Sequence, residues 1–147
     1  MNENGDRVHS EGEDSQEYVN FIGELLQAEL DSDSDNKVIY PILKQRQHLL
    51  NARFAETLQQ VAQRLIAKPP KAIELIVGLI EKLSIHINQF PLGSRANNIE
   101  IAITGYQIVL NNRQPGSEKF AQTQYNLAAA YYSRINGSRA ENLEGAI

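Results

Sequence analysis

The stretch Asp31-Ser32-Asp33-Ser34-Asp35-Asn36 sets three carboxylates at alternate positions, the opening spacing of a loop that holds calcium through oxygen ligands. Such a loop needs Gly at its sixth position for the sharp turn and Glu at its twelfth as a bidentate ligand. Here Asn36 and Ile42 stand at those places, so no metal is expected. The three histidines are His9, His48 and His86. His86 lies among apolar neighbours with no second His, Asp or Glu at ligand spacing, and it reads as a structural histidine. The chain has no cysteine, which removes disulfides, thiolate metal sites and a thiol nucleophile together. No Gly-rich phosphate loop, Ser-His-Asp order or His-Glu-x-x-His motif occurs. The carboxylates of residues 1–35 fall in a tail and in turns, which offer no scaffold for a paired acid and base. The reading is a protein that is not an enzyme, with no catalytic residue, no cofactor and no metal.

Charge is unevenly spread. Residues 1–36 hold eleven Asp/Glu against one Arg, a net of −10, and residues 37–147 hold thirteen Lys/Arg against seven Asp/Glu, a net of +6. Nucleic-acid binding asks for a dense basic stripe, and these basic residues are scattered, so that class is not expected. Residues 1–15 contain two apolar side chains, Met1 and Val8, without a period, and read as a disordered acidic tail. No basic segment followed by an apolar run opens the chain, so a signal peptide is not expected. With the missing cysteines, this fits a cytoplasmic location.

From Gln16 the pattern is helical. Tyr18, Phe21, Ile22, Leu25, Leu26 and Leu30 recur at spacings of three and four and mark one face. Val38 to Leu50 gives a second helix, with Pro41 tolerated near its start. Phe54, Leu58, Val61, Leu65 and Ile66 give a third, ending before Lys68-Pro69-Pro70. Residues 71–90 give a fourth, the most apolar stretch; Lys71, Glu74, Glu81 and Lys82 interrupt it, so it is a core helix and not a membrane span. Two more helices are expected over 95–112 and 118–135, followed by the start of a seventh. No segment alternates with period two. The expected fold is all-α, with a tail (1–15), an N-terminal helical region (16–90) and a repeat region (91–147).

The repeat is the most informative feature. Residues 93–103, GSRANNIEIAI, and 137–147, GSRAENLEGAI, agree at eight of eleven positions at an offset of 44. Each copy reads as a junction between two helices. Gly137 is expected to stop one helix in a left-handed conformation, Ser138 to cap the next, and Glu141 to complete a capping box. Asn97 replaces that Glu in the first copy. Fixed periods of this size signal stacked helix pairs.

The surrounding residues carry a resemblance. In YNLAAAYY (125–132), Leu127, Ala128 and Tyr131 resemble the Leu, small residue and Tyr of the first helix of a tetratricopeptide (TPR) repeat. Gln124 replaces the aromatic of that pattern, with Phe120 one turn earlier as a candidate for its space. In AITGYQIVL (102–110), Ala102, Tyr106 and Val109 resemble the second TPR helix, with Ala102 as the small residue of a close crossing and Pro115 near the usual break. The unit is 44 residues long where an ordinary one is about 34. In that length and wording it resembles the repeats of bacterial TPR proteins that often carry a caspase-like CHAT peptidase domain. The match is strong over 91–147 and weak over 16–90. It implies antiparallel helical hairpins stacked as an α-solenoid. The peptidase cannot be carried over, since its Cys is missing.

The resemblance further implies a groove that holds a peptide or helix of a partner protein, lined by Gln122, Tyr125, Asn126, Ala129, Tyr132 and Ser133. Packing between helices is the alternative for the two tyrosines. Arg95 and Arg139 share one position in the two copies; salt bridges to Glu100 and Glu144, solvation, or a ridge that reads an acidic partner are the readings left open. Leu143, Ala146 and Ile147 require a packing surface, either by folding back on 118–135 or within a longer array. The function expected is a protein-interaction scaffold or adaptor. The other reading is a regulatory or self-associating segment of a longer caspase-like effector, docking through its exposed last repeat.

Overall fold

The computed structural model describes residues 3–67 and 72–146, with side chains described over 15–67 and 72–137. Among these residues the chain is all-helical. Six α-helices follow in order: α1 (Glu3–Asp31), α2 (Asn36–Gln45), α3 (Ala52–Ile66), α4 (Ile73–Gln89), α5 (Arg95–Asn111) and α6 (Glu118–Ala146), with one 3₁₀ turn at Gln47–Leu49. The N-terminal bundle packs α1 against α2, α3 and α4, while α5 lies against α3, α4 and α6. No described helix is long and apolar enough to cross a membrane.

The helix starts are set by side-chain caps. Asp35 Oδ1 accepts from the Lys37 amide at 3.0 Å, so one carboxylate of the acidic triplet begins α2. Asn51, Ser94 and Ser117 do the same for α3, α5 and α6, accepting from the amides of Phe54, Asn97 and Phe120. Each oxygen satisfies one of the orphan donors of a helix's first turn.

Two expectations about helix ends need correction. Residues 3–15, expected to be a disordered tail, are described as the first part of α1. Extending a helix that Tyr18–Leu26 already anchor adds a hydrogen bond per residue, without a new nucleus. Likewise α6 does not stop at Ile135. It runs through Gly137 to Ala146 with no turn between them, so the expected junction and the start of a seventh helix are part of α6. The second helix is also shorter than expected, ending at Gln45, and Pro41 sits within it on the exposed side.

Most of the apolar stripe read in the sequence is buried. Phe21, Ile22 and Leu25 of α1 meet Ile39 and Leu43 of α2, Phe54 and Leu58 of α3, Val77, Ile80, Leu83 and Ile87 of α4, and Ile101 and Val109 of α5. Leu30 and Val38, expected inward, are exposed. A second, smaller cluster joins α5 to α6: Ile99, Ala102, Ile103 and Tyr106 surround Ala130, with Leu127 and Tyr131 packed on them. Helix α5 is therefore apolar on two sides. Burial on both is what an almost all-round apolar helix requires.

At Gly105 the backbone of α5 lies close against Ser84 of α4. A Cβ there would lie 1.8 Å from Ser84 Oγ and 2.9 Å from Ser84 Cβ. Ala102, which the sequence reading gave as the small residue of a close crossing, lies on the other side of α5, buried with Ala130 of α6.

Candidate functional site

Helix α6 has one face committed to α5 and α4 and one face left open. On the committed face Thr123 and Ala130 are buried, and Leu127 and Tyr131 are partly so. Thr123 Oγ1 lies 2.6 Å from Glu81 Oε2 and 2.9 Å from the Lys119 carbonyl, and its single proton favours the charged acceptor. Glu81 also accepts from Arg113 at 3.4 Å, and Lys119 reaches Glu74 at 3.2 Å. These contacts fix the start of α6 across the end of α5 onto α4. Further along, Gln107 donates to the Tyr131 hydroxyl at 2.8 Å. Arg134 binds Glu100 at 3.2 Å and covers the Tyr131 ring at 4.8 Å, which fixes the rotation of the helix.

The open face carries the expected groove residues. Gln122 and Ala129 are exposed, Asn126 and Ser133 half-buried. Tyr125 is 74% exposed, Tyr132 67% and Ile135 58%. Neither tyrosine packs between the described helices. Ala128 is also exposed, so the alanine that lets α6 approach α5 is Ala130 and not Ala128. The contact runs 123–127–130–131–134, which puts 121, 125, 128, 132 and 135 on the other side. That stripe repeats at four and three residues, the spacing of a seam between two helices.

At its far end the open face borders a cavity of about 470 Å³ between the start of α5 and α6, lined by Arg95, Ile99, Glu100, Tyr132, Arg134 and Gly137. Tyr132, Ser133 and Arg95 thus come together here, while Gln122 and Tyr125 lie two to three turns away along α6. The Arg95 guanidinium donates to the Asn88 carbonyl and, at 3.3 Å, to Asn88 Oδ1. A cation on the last carbonyls of α4 complements the helix end, so Arg95 clamps the turn. Glu100, one of its expected partners, binds Arg134 instead. Arg139 lies outside the residues whose side chains are described.

Two buried polar arrangements were not read from the sequence, although His86 itself was taken as structural. His86 Nδ1 lies 2.5 Å from Glu29 Oε1, joining α4 to α1, with Glu29 only 1% exposed and the Tyr40 ring edge-on to the imidazole at 5.9 Å. Glu29 Oε2 has no hydrogen-bond partner among the described residues. The available signal was phase, since Glu29 lies four residues beyond Leu25 on the buried stripe of α1. Tyr106 is the second. Burial, chiefly, and the nearby Glu81 charge push its phenol up to about 12, against a partial offset from a hydrogen bond with Asn88. A phenol so held stays protonated and has no acid–base role near neutrality. His86 and Glu29 sit in the core, away from the open face of α6. Among the described residues no group of three or more His, Asp or Glu could hold a metal ion.

Comparison of the chain with family models, with curated proteins and with solved structures gives no match.

Proposed function

We propose that the protein is a non-catalytic interaction module of TPR type, a scaffold or adaptor that holds a peptide or helix of a partner protein along the open face of α6. One observation supports this reading above the others: Tyr125 and Tyr132, seven residues apart on one side of a well-anchored helix, are both largely exposed. Two tyrosines two turns apart offer large contact area at low entropic cost, each with a hydrogen-bonding tip. Stacked helical hairpins as an α-solenoid, and a cytoplasmic location, belong to the same reading. The exposed tyrosines favour protein over nucleic acid, since no basic stripe accompanies them.

Panning a random peptide library displayed on phage against the protein and its Tyr125→Ala/Tyr132→Ala variant tests the groove. Peptides enriched on the parent and lost on the variant are the expected result. Peptides that bind both equally remove the assignment.

A second reading is a regulatory or self-associating segment of a longer caspase-like effector. It is favoured by the exposure of Tyr125, Tyr132 and Ile135 on α6, next to the second copy of the repeated phrase. Light scattering after gel filtration checks it; a mass that stays at one chain regardless of concentration counts against self-association.

A further inference from the structure

Leu30 of α1 and Leu75 of α4 are exposed to 46% and 53%, and both line one cleft of about 480 Å³ between α1, α3 and α4. Val19 and Gly23 of α1, Leu65 of α3 and Leu79 of α4 stand in the same walls. Among the described residues no aromatic ring and no charged group lines the cleft, and Gln27 is its one polar side chain. The Gln27 amide is already committed, since Nε2 donates to Asp31 Oδ1 at 2.9 Å. None of the lining residues belongs to α6, so the cleft is separate from the face proposed above.

A small residue keeps the space open. Gly23 lies inside α1, where glycine weakens a helix relative to alanine, and a Cβ built on it meets nothing within 4 Å. Cations flank the apolar walls. Lys82 follows Leu79 by three residues and Leu75 by seven, on the edge of the same side of α4, and Arg64 precedes Leu65 on α3. Both are exposed, and neither has an ion pair among the described residues. Arg46, Arg113, Lys119 and Arg134, by contrast, each hold a carboxylate.

Size and wall chemistry select the occupant. The rise along α1 from Val19 to Leu30 is about 16 Å, the reach of an extended chain of roughly twelve carbons. An α-helix, about 10 Å across with its side chains, would fill far more than 480 Å³ over that length. Aliphatic walls give a planar ring nothing to stack on, whereas a flexible alkyl chain needs only apolar contact. We propose that the cleft binds one free fatty acid, its alkyl chain between α1, α3 and α4 and its carboxylate at the mouth, in the field of Lys82 and Arg64.

Isothermal titration calorimetry of the full chain with octanoate, decanoate and dodecanoate, each below its micelle concentration, tests this. One site per chain is expected, with affinity rising about 4-fold for each added methylene. Gly23→Leu should abolish dodecanoate binding without lowering the melting temperature, because its side chain takes the empty space and a glycine leaves the helix. Lys82→Gln with Arg64→Gln should weaken decanoate by roughly 5-fold and leave 1-decanol unchanged. No binding, affinity that ignores chain length, or binding that survives Gly23→Leu overturns the proposal. So does a double variant that holds decanoate as tightly as the parent. A dimer that Gly23→Leu dissolves, seen by light scattering without any fatty-acid binding, overturns it in favour of a second copy in the cleft.

Discussion

Residues 91–103 and 135–147 contain the same eleven-residue phrase with three changes, and the two copies have different shapes. The first is a turn. Phe90 leaves the helix, Gly93 takes a left-handed conformation, Ser94 caps α5, Arg95 clamps the Asn88 carbonyl, and Asn98 Nδ2 donates to the Leu92 carbonyl at 2.9 Å. The second is uninterrupted helix as far as Ala146. The phrase permits either state, because Gly, Ser and Asn serve a turn well and cost an exposed helix only a fraction of a kcal/mol to about 1 kcal/mol each. What selects is the neighbour on each side. Pro91 precedes the first copy and a buried surface awaits the helix that follows it; Ile135 precedes the second, and no described helix covers that side of α6. Similar local sequence has been resolved by a helix breaker and by tertiary packing.

The largest expected contrast is in burial. Tyr106→Ala, in the helix of the first copy, should destabilise the fold by about 3–5 kcal/mol, whereas Tyr132→Ala, just before the second, should stay within about 0.5 kcal/mol. Urea unfolding of both variants measures the gap; equal losses would mean that the second region is packed after all.

Tyr106 also gives the first copy a pH signature. Its folded value, near 12, lies above the ordinary 10, so the folded state holds the phenolic proton more tightly. The stabilisation is complete below about pH 10 and is lost as pH rises towards 12, amounting to about 2–3 kcal/mol. Melting temperature followed from pH 9 to 12 should fall more steeply for the parent than for Tyr106→Phe.

The paired glycines sharpen the comparison by sign. Gly93→Ala should cost about 1–2 kcal/mol, because an L side chain is strained at φ +78°. Gly137→Ala should stabilise by up to about 1 kcal/mol, since the residue lies within a helix and a Cβ there meets nothing within 4 Å. Chemical denaturation reads both. Two losses would show that the second copy also turns.

The smallest effect is at the caps. Ser94→Ala should lose about 1 kcal/mol with its hydrogen bond to the Asn97 amide, while Ser138→Ala in mid-helix should gain a few tenths. Thermal melts of the two variants should shift in opposite directions.

The helical period and most of the core were legible, because buried positions recur at three and four residues wherever one face packs. Phe21, Leu25, Phe54, Ile80 and Ile87 needed nothing more than spacing. Leu30 misled because it lies on the flank of the stripe, whose buried line at that turn runs through Glu29. The open face of α6 was assigned from a resemblance; Tyr125 and Tyr132 are indeed exposed, while which alanine is buried, Ala130 and not Ala128, was not read from the sequence. One residue of rotation decides between neighbours in Ala128-Ala129-Ala130, and spacing cannot resolve three alanines in a row.

By itself, then, the sequence determined the all-α class, the helix centres, the caps at Asp35, Asn51 and Ser94, and the lack of thiol chemistry, since each depends on residues close together in the chain. Only the tertiary structure brought Glu29 to His86, Ser84 against Gly105, and Glu81 to Arg113 and Thr123. It also decided that one phrase turns while its copy runs straight. The physical reason is common to all four: a local sequence sets which conformations are cheap, and the surfaces offered by distant residues decide which of them is occupied.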